Sequence, residues 1–409
     1  MNIEIDTVKG FRDFLPPESL KREVVVETIK KYFELYGFLP VETPVVEFDE
    51  LMRSDSLAEE DETVSDRFRL KDRAGRNLGL RYEFTFQLAR IFKQFPNIKL
   101  PFRRYQIGPV FRDEPTGPNR FRQFTQCDVD IIGDSSTKAD AEILAVVSDI
   151  LKELEVGEVE ICVNSRRLLN AIIESVEIKA NKQVLCELDK LSKVGEDQVK
   201  ANLRKYADPN KILTLFKLLL KDISFFKENA FDGAEELEEL QKEASRYGVK
   251  IKINPFMIRG LGYYTGNIFE VIGPDKNTVA GGGRYDKLVG KYLGRDIPAV
   301  GISFGLERIS QLAKKIPRNI PKVLVISINK DNESFLLLKK LRKSGISSLM
   351  FSEKPTKALE YANSTAIPYV IFLGEDEVSK RKFKLRNMQS GEEKSLSEKQ
   401  LLIALKNIT

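Results

Sequence analysis

Residues 111–133, FRDEPTGPNRFRQFTQCDVDIIG, constrain the fold more than any other part of the chain. Val110 and Phe111 precede a turn-forming Pro-Thr-Gly-Pro-Asn run, and Phe121, Phe124, Val129, Ile131 and Ile132 follow it. This arrangement predicts two antiparallel strands joined by a long loop. The first half carries Arg112, Arg120 and Arg122, and the second carries Gln126, Asp128 and Asp130. Such a hairpin can hold an anion at its cationic end and an ammonium or polar group at its acidic end. Arginine suits the anion because its planar fork meets phosphate oxygens two at a time. The same pattern also fits a surface hairpin laced with ordinary salt bridges.

Among 409 residues there is no histidine. This excludes a Ser–His–Asp triad, histidine acid–base catalysis and histidine-ligated zinc. Any chemistry must run on arginine, carboxylate, tyrosine and backbone groups, and no histidine titrates near neutral pH. Attack of a carboxylate on a nucleotide phosphate fits that restriction, since it needs mainly positioning and charge neutralisation. The length predicts two or three domains. No apolar run is long enough for a membrane span, and the start MNIEIDTVKG has no signal-peptide pattern. Cys127, Cys162 and Cys186 are widely spaced, which fits a reducing compartment and no metal site. A cytoplasmic protein with no membrane partner is expected.

Along the chain, apolar residues at 20, 24, 25, 29, 32, 33 and 36 predict a one-sided helix ended by Gly37. The β-rich run after it contains Pro40 and Pro44, which places it at an edge or interface. Residues 49–66 are acidic and polar and read as a loop. A hairpin turn is expected at residues 72–76, then a helix over 86–95 and a strand over 102–111. A second amphipathic helix follows at 138–156, then a short strand at 159–165. Residues 166–248 are rich in Leu, Lys and Glu and read as a helical insertion. Three glycine-marked blocks come next, RGLGYYTGNIFEVIG (259–273), AGGGRYDKLVG (280–290) and PAVGISFGLERI (298–309). GLGYYTG does not have the GxGxxG spacing, and there is no P-loop signature. Domain boundaries are therefore expected at 1–165, 166–248, 249–316 and 320–409. The last of these, beyond the basic linker KKIPRNIPK, reads as a small α/β domain with a mostly parallel sheet. From residue 322 onward there are 16 Lys and Arg against 10 Asp and Glu, so this domain carries the positive excess. A basic appended domain fits nucleic acid or a solvated basic surface equally well.

Taken in order, FRDE, RFRQF, QCDVD, RGLGYYTG, AGGGRYD and GISFGLERI resemble the class II aminoacyl-tRNA synthetases, and within them the histidyl-tRNA synthetases. The likeness runs from GFRDFLP at 10–16 into the C-terminal domain. It implies an α+β fold in which a six- to seven-stranded antiparallel sheet is flanked by helices, with an anticodon-binding domain after it. Residues 20–48 are implied to form the interface of a homodimer. The implied reaction joins L-histidine to ATP, with Mg2+, as histidyl-adenylate, then transfers histidine to tRNA(His). Arg112 matches the arginine that grips the α-phosphate, and Arg308 the one on the γ-phosphate and adenine side. Glu114 matches the glutamate near the adenine amino group, and Arg259 the family's extra arginine at the α-phosphate. Glu83, Thr85 and Gln126 match groups around the substrate ammonium, while Asp130 and Tyr264 match those that bracket the imidazole. Arg120, Arg122 and Tyr263 match further positions lining the pocket. No metal ligand is implied. One departure stands out, since position 262 is glycine where the family motif has aspartate, which loosens any hold on Arg259. A regulatory subunit of ATP phosphoribosyltransferase, built on the same core without charging tRNA, is the alternative. Arg112, Arg259, Arg308 and the C-terminal domain argue for the enzyme.

Overall fold

A computed structural model of the chain describes residues 5–52, 66–117, 120–259, 262–315 and 321–406. Most of the acidic 49–66 stretch lies outside the described residues, as do 118–119 at the hairpin loop, 260–261 and the linker 316–320. The chain forms two compact units, Met1–Lys315 and Ile316–Thr409.

In the first unit the strands are β1 (Leu39–Pro40), β2 (Val46–Phe48), β3 (Arg69–Lys71), β4 (Asn77–Leu80), β5 (Phe102–Phe111), β6 (Gln123–Ile132), β7 (Glu160–Ser165), β8 (Ile251–Ile253), β9 (Asn267–Ile272), β10 (Thr278–Arg284) and β11 (Ala299–Gly305). Eight of them make one sheet in the order β1-β5-β6-β11-β10-β9-β7-β8. The six inner strands pair antiparallel, whereas β1 on β5 and β8 on β7 pair parallel. The expected antiparallel sheet is thus the inner body, extended at each edge by a very short parallel strand. Pro40 sits on such an edge, where a missing N–H costs no ladder bond. β2, β4 and β3 form a separate small sheet.

Alternation along β5, β6 and β11 sends Tyr105, Cys127, Val129, Ile131, Val300, Ile302 and Phe304 to one face, all buried. Helices Glu18–Leu35 and Thr137–Glu153 cover this face. Val25, Ile29 and Phe33 recur at a four-residue interval and enter the same core. The Phe33 ring stands 5.5 Å from Tyr105 and 6.5 Å from Phe304. Gly37, at φ +76°, ends the first helix as expected, and Phe38 N–H reaches back to Phe33 O at 3.0 Å.

Residues 166–248 are helical, from Arg166–Ser175 through Ala234–Arg246. Their core residues, among them Leu215, Leu237 and Leu240, belong to the same continuous cluster as the sheet's apolar face. In the second unit the strands are β12 (Val323–Ser327), β13 (Ser348–Phe351), β14 (Tyr369–Leu373), β15 (Lys382–Asn387) and β16 (Glu393–Ser397), in the order β13-β12-β14-β15-β16. The first three are parallel and the last two antiparallel, so the sheet is mixed rather than mostly parallel. Separate apolar clusters fill its two sides.

Candidate active site

The other face of the inner sheet is polar. Register aligns Arg104, Gln106 and Gly108 of β5 with Asp130, Asp128 and Gln126 of β6, and those with Gly301, Ser303 and Gly305 of β11. Glycines keep the floor low. A Cβ on Gly301 would fall 1.9 Å from Asp130 Oδ1, and one on Gly281 would fall 2.0 Å from Arg259 Nη1.

At the acidic end, Asp130 accepts a hydrogen bond from the Tyr285 hydroxyl, and Arg104 Nη2 stands 2.8 Å from its other oxygen. Glu83 accepts from the Tyr263 hydroxyl at 3.1 Å, and Gln126 Nε2 donates to Ser303 at 3.0 Å. Thr85 is buried at the start of helix Phe86–Gln94, and its hydroxyl is bonded to Tyr263 rather than to the helix end. Tyr263 and Tyr264 form a wall with ring centroids 4.9 Å apart, backed by Phe86 and Tyr285 at 5.9 and 6.1 Å from Tyr263.

Burial pushes the Glu83 carboxyl up to about 7, against the pull of Arg112 and the Tyr263 hydroxyl and with the push of Asp130. Asp128 is also pushed up to about 7, by burial and by Asp130 and Glu83, with Arg104 opposing. Burial raises Asp130 too, while Arg104 and Tyr285 restrain it. Three buried acids share Arg104, with Arg112 acting on Glu83, and burial leaves their charged forms incompletely compensated. A cationic, donor-rich ligand lowers that cost. Neutral pH is therefore not free of titrating groups, despite the lack of histidine. The carboxylates take that place because burial penalises their charged form.

At the other end, the Arg112 guanidinium lies over the Tyr82 and Phe124 rings, 4.3 and 5.1 Å from their centroids. Glu114 accepts from Arg120 Nε at 3.0 Å and from the Tyr82 hydroxyl at 3.3 Å. Burial raises its pKa, but the Arg120 hydrogen bond and the Arg112 charge outweigh this and lower it overall. Arg122 donates to Glu114 O at 3.2 Å and pairs with Asp113 at 3.2 Å, while its backbone N–H meets Gly10 O at 2.8 Å. Arg122 therefore ties the loop to the N-terminal GFRDF segment.

Glu83, Thr85, Gln126, Asp130, Tyr263 and Tyr264 thus share one polar face with Arg259, and Arg112 acts electrostatically on Glu83 within it. Glu114 and Arg120 extend this group beyond Arg112. Arg308 stands apart, donating to Thr278 O at 2.5 Å. Arg104, Tyr285, Ser303 and Tyr82 are also in the site, although sequence reading did not single them out. Period-two alternation from Gln126 and Asp130 back to the paired strand was the available signal for Arg104. Tyr285 and Ser303 sit inside two of the glycine-marked blocks, but nothing local distinguished them or Tyr82 as site residues.

An inner antiparallel sheet with a polar, arginine-flanked face, followed by a separate α/β unit, defines a class II aminoacyl-tRNA synthetase. The histidyl-tRNA synthetase family matches residues 10–309, and an anticodon-binding domain family matches residues 322–408. Histidine–tRNA ligase 1 of Bacillus cereus is 37% identical over 96% of this chain and 95% of its own. The histidine–tRNA ligase of Clostridium tetani is 34% identical over 97% of each. A solved histidyl-tRNA synthetase from a Nostoc species superposes with a TM-score of 0.88 at 28% identity, covering 100% of both chains. A Bacillus halodurans structure described as an ATP phosphoribosyltransferase regulatory subunit/histidyl-tRNA synthetase shares the fold, with a TM-score of 0.75 at 20% identity over 89% of this chain and 97% of its own. The chain belongs to the histidyl-tRNA synthetase family, and its activity is the ATP-dependent activation of histidine and its transfer to tRNA(His).

Proposed function

We propose the following division of labour for that reaction. Histidine binds at the acidic end, its α-ammonium among Glu83, Thr85 and Gln126 and its imidazole between Asp130 and Tyr264. The observation that carries this reading is the set of buried acceptors left without a hydrogen-bond partner there, Glu83 Oε1, Gln126 Oε1 and Asp128 Oδ1. Ammonium and imidazole N–H groups supply the missing donors. Asp130 keeps lone pairs for a ligand beside its ion pair with Arg104 and its hydrogen bond from Tyr285.

ATP lies along the arginine end with Mg2+ arriving on its phosphates. Arg112 and Arg259 face the α-phosphate, Glu114 and Arg120 the adenine side, and Arg308 the outer phosphates. A carboxylate oxygen of histidine attacks the α-phosphorus, and the bond to pyrophosphate breaks. Charge builds on the α-phosphate oxygens during this step, and each well-placed arginine lowers the barrier by a few kcal/mol, about 3–4 in comparable sites. The tRNA hydroxyl then attacks the activated carbonyl, its proton passes to the adenylate phosphate, and the bond from the carbonyl carbon to that phosphate breaks, so AMP leaves. The helical stretch 166–248 is an insertion in the catalytic domain, and residues 320–409 read the anticodon with their basic surface.

The homodimer is supported by Leu35, Leu39, Val45, Val46 and Phe48, large apolar side chains that stay exposed within the stretch 20–48. A cytoplasmic setting is supported by two free, buried cysteines, Cys127 and Cys162. No helix among the described residues is long and apolar enough to cross a membrane. Histidine-dependent pyrophosphate exchange, compared across the standard amino acids, tests the assignment. Histidine should stand alone, and equal exchange with another amino acid would refute the acidic pocket as its reader. Truncation before residue 321 should leave exchange intact and abolish tRNA charging.

A further inference from the structure

Arg259 follows β8 and lies across Gly281 of β10, where only a residue without a side chain leaves room for its guanidinium. Register places Glu270 of β9 directly beside Gly281. Glu270 Oε1 stands 3.7 Å from Arg259 Nη1, and the same nitrogen meets Phe269 O at 3.4 Å. Glu270 is itself fixed, because its Oε1 accepts from the Thr278 hydroxyl at 2.7 Å. Both anchors engage Nη1, which among the described residues leaves Nε and Nη2 for an anion, while the Asp189 carboxylate adds a longer-range pull on the guanidinium. The exposed glycine at 262 offers no side-chain acceptor to hold the arginine from its own loop.

We infer that Glu270, braced by Thr278, is a positioning residue for Arg259, fixing its guanidinium over the glycine floor with its free edge toward the reacting phosphate. The inference rests on the reading of Arg259 as the α-phosphate arginine. A flexible arginine has many rotamers, and a carboxylate beside one end selects among them before substrate arrives. Glu270 touches neither histidine nor ATP in this scheme. Its loss therefore acts on the rate of the chemical step rather than on histidine binding.

The test uses histidine-dependent pyrophosphate exchange by the full chain, normalised to active sites. Glu270→Gln should lower kcat about 10- to 100-fold, the scale of a misplaced catalytic group. The KM for histidine should stay within about 2-fold. Glu270→Asp keeps the charge at shorter reach and should fall between Glu270→Gln and the parent. Thr278→Val should cost only a few-fold, as it removes the brace and keeps the carboxylate. In an Arg259→Gln background, Glu270→Gln should have no further effect on the residual rate. An unchanged kcat in Glu270→Gln overturns the inference. So does an equal loss in both backgrounds, which marks Glu270 as merely structural. Full activity in Arg259→Gln alone is a different failure, since it removes Arg259 from the reaction and leaves nothing for Glu270 to position.

Discussion

Two arginines, Arg284 and Arg104, are buried in the same sheet, and each faces an aspartate. Arg284 donates to Asp140 through Nε at 3.1 and 2.9 Å and through Nη2 at 2.5 Å, and also to Asp134 O at 3.0 Å and Ser136 O at 2.6 Å. Arg104 has Asp130 at 2.8 Å without an aligned hydrogen bond, and its Nε, Nη1 and Nη2 have no hydrogen-bond partner. Glu83, Gln126 and Asp128 show unmet acceptors beside it. An unmet buried polar group costs about 1–3 kcal/mol. The first arginine is scaffold, locking helix Thr137–Glu153 to the sheet. The second belongs to a region held in a costly state that a polar ligand completes.

This contrast is open to direct attack. The largest expected effect is on the scaffold arginine. Asp140→Asn removes the nearest counter-charge of a buried guanidinium, leaving Asp286 at 3.7 Å, and should destabilise the protein by about 3–5 kcal/mol. Urea unfolding measures it, and a loss under about 1 kcal/mol would erase the distinction between the two arginines. On the site side, Asp130→Ala should lower kcat/KM for histidine about 10- to 100-fold with the KM for ATP unchanged, because it strands a donor in a closed pocket. Pyrophosphate exchange reads both constants, and an unchanged kcat/KM would take Asp130 out of the pocket.

The pH dependence follows from Glu83 and Asp128, both at about 7 in the empty site. Their folded pKa values lie above the unfolded carboxylate range of about 4, so the unfolded chain releases these protons first. Their contribution to stability is favourable at low pH and is lost as pH rises from about 4 to 7. For catalysis the sign is opposite. Protonated acids bind a cation poorly, so kcat/KM for histidine should rise between about pH 6 and 8. The substrate's own imidazole ionisation must be divided out. kcat should stay flat, because the bound ammonium keeps both acids ionised. An inflection in kcat that survives Glu83→Gln and Asp128→Asn would point to another group. The smallest expected effect is on stability. Asp128→Asn removes one of three crowded charges and should raise stability of the ligand-free protein at pH 8 by about 1 kcal/mol. Calorimetry showing destabilisation instead would mean that Arg104 and the Ser303 hydroxyl outweigh the crowding at Asp128.

Much of this was legible in the sequence because the hairpin announces itself. Turn residues sit between apolar runs, and β5 and β6 form where that pattern places them. The site residues were legible mainly through resemblance, since a lone Glu83 or Tyr264 looks like any core-lining polar residue. Arg104 was hidden by its neighbour. Arg103 and Arg104 look equivalent in sequence, but strand alternation turns Arg103 to Glu142, 3.0 Å away on the helix side, and Arg104 into the site. Pro40 made the edge position of β1 legible, but the parallel pairing of β1 and β8 was not, because two- and three-residue strands carry no periodicity. Helical composition marked residues 166–248 correctly, but composition does not say whose core a helix joins. In the second unit, β16 folds back antiparallel on β15 because a short loop joins them, whereas β15 runs antiparallel to β14 even though the helix Glu375–Lys380 lies between them.

The glycine floor limits how this enzyme can drift over generations. At Gly281 and Gly301 the smallest possible substitution, a methyl group, already collides with Arg259 or Asp130. At Gly301 the methyl also meets the backbone oxygen of Val129 at 2.9 Å, and at Gly281 it displaces the end of the Arg259 side chain, so a change at either position disturbs a site group at once. The tyrosine wall and the acids around it have graded replacements, Phe for Tyr or Gln for Glu. Heritable change in substrate preference should therefore enter through the walls, while the floor holds the chain to one set of reactants.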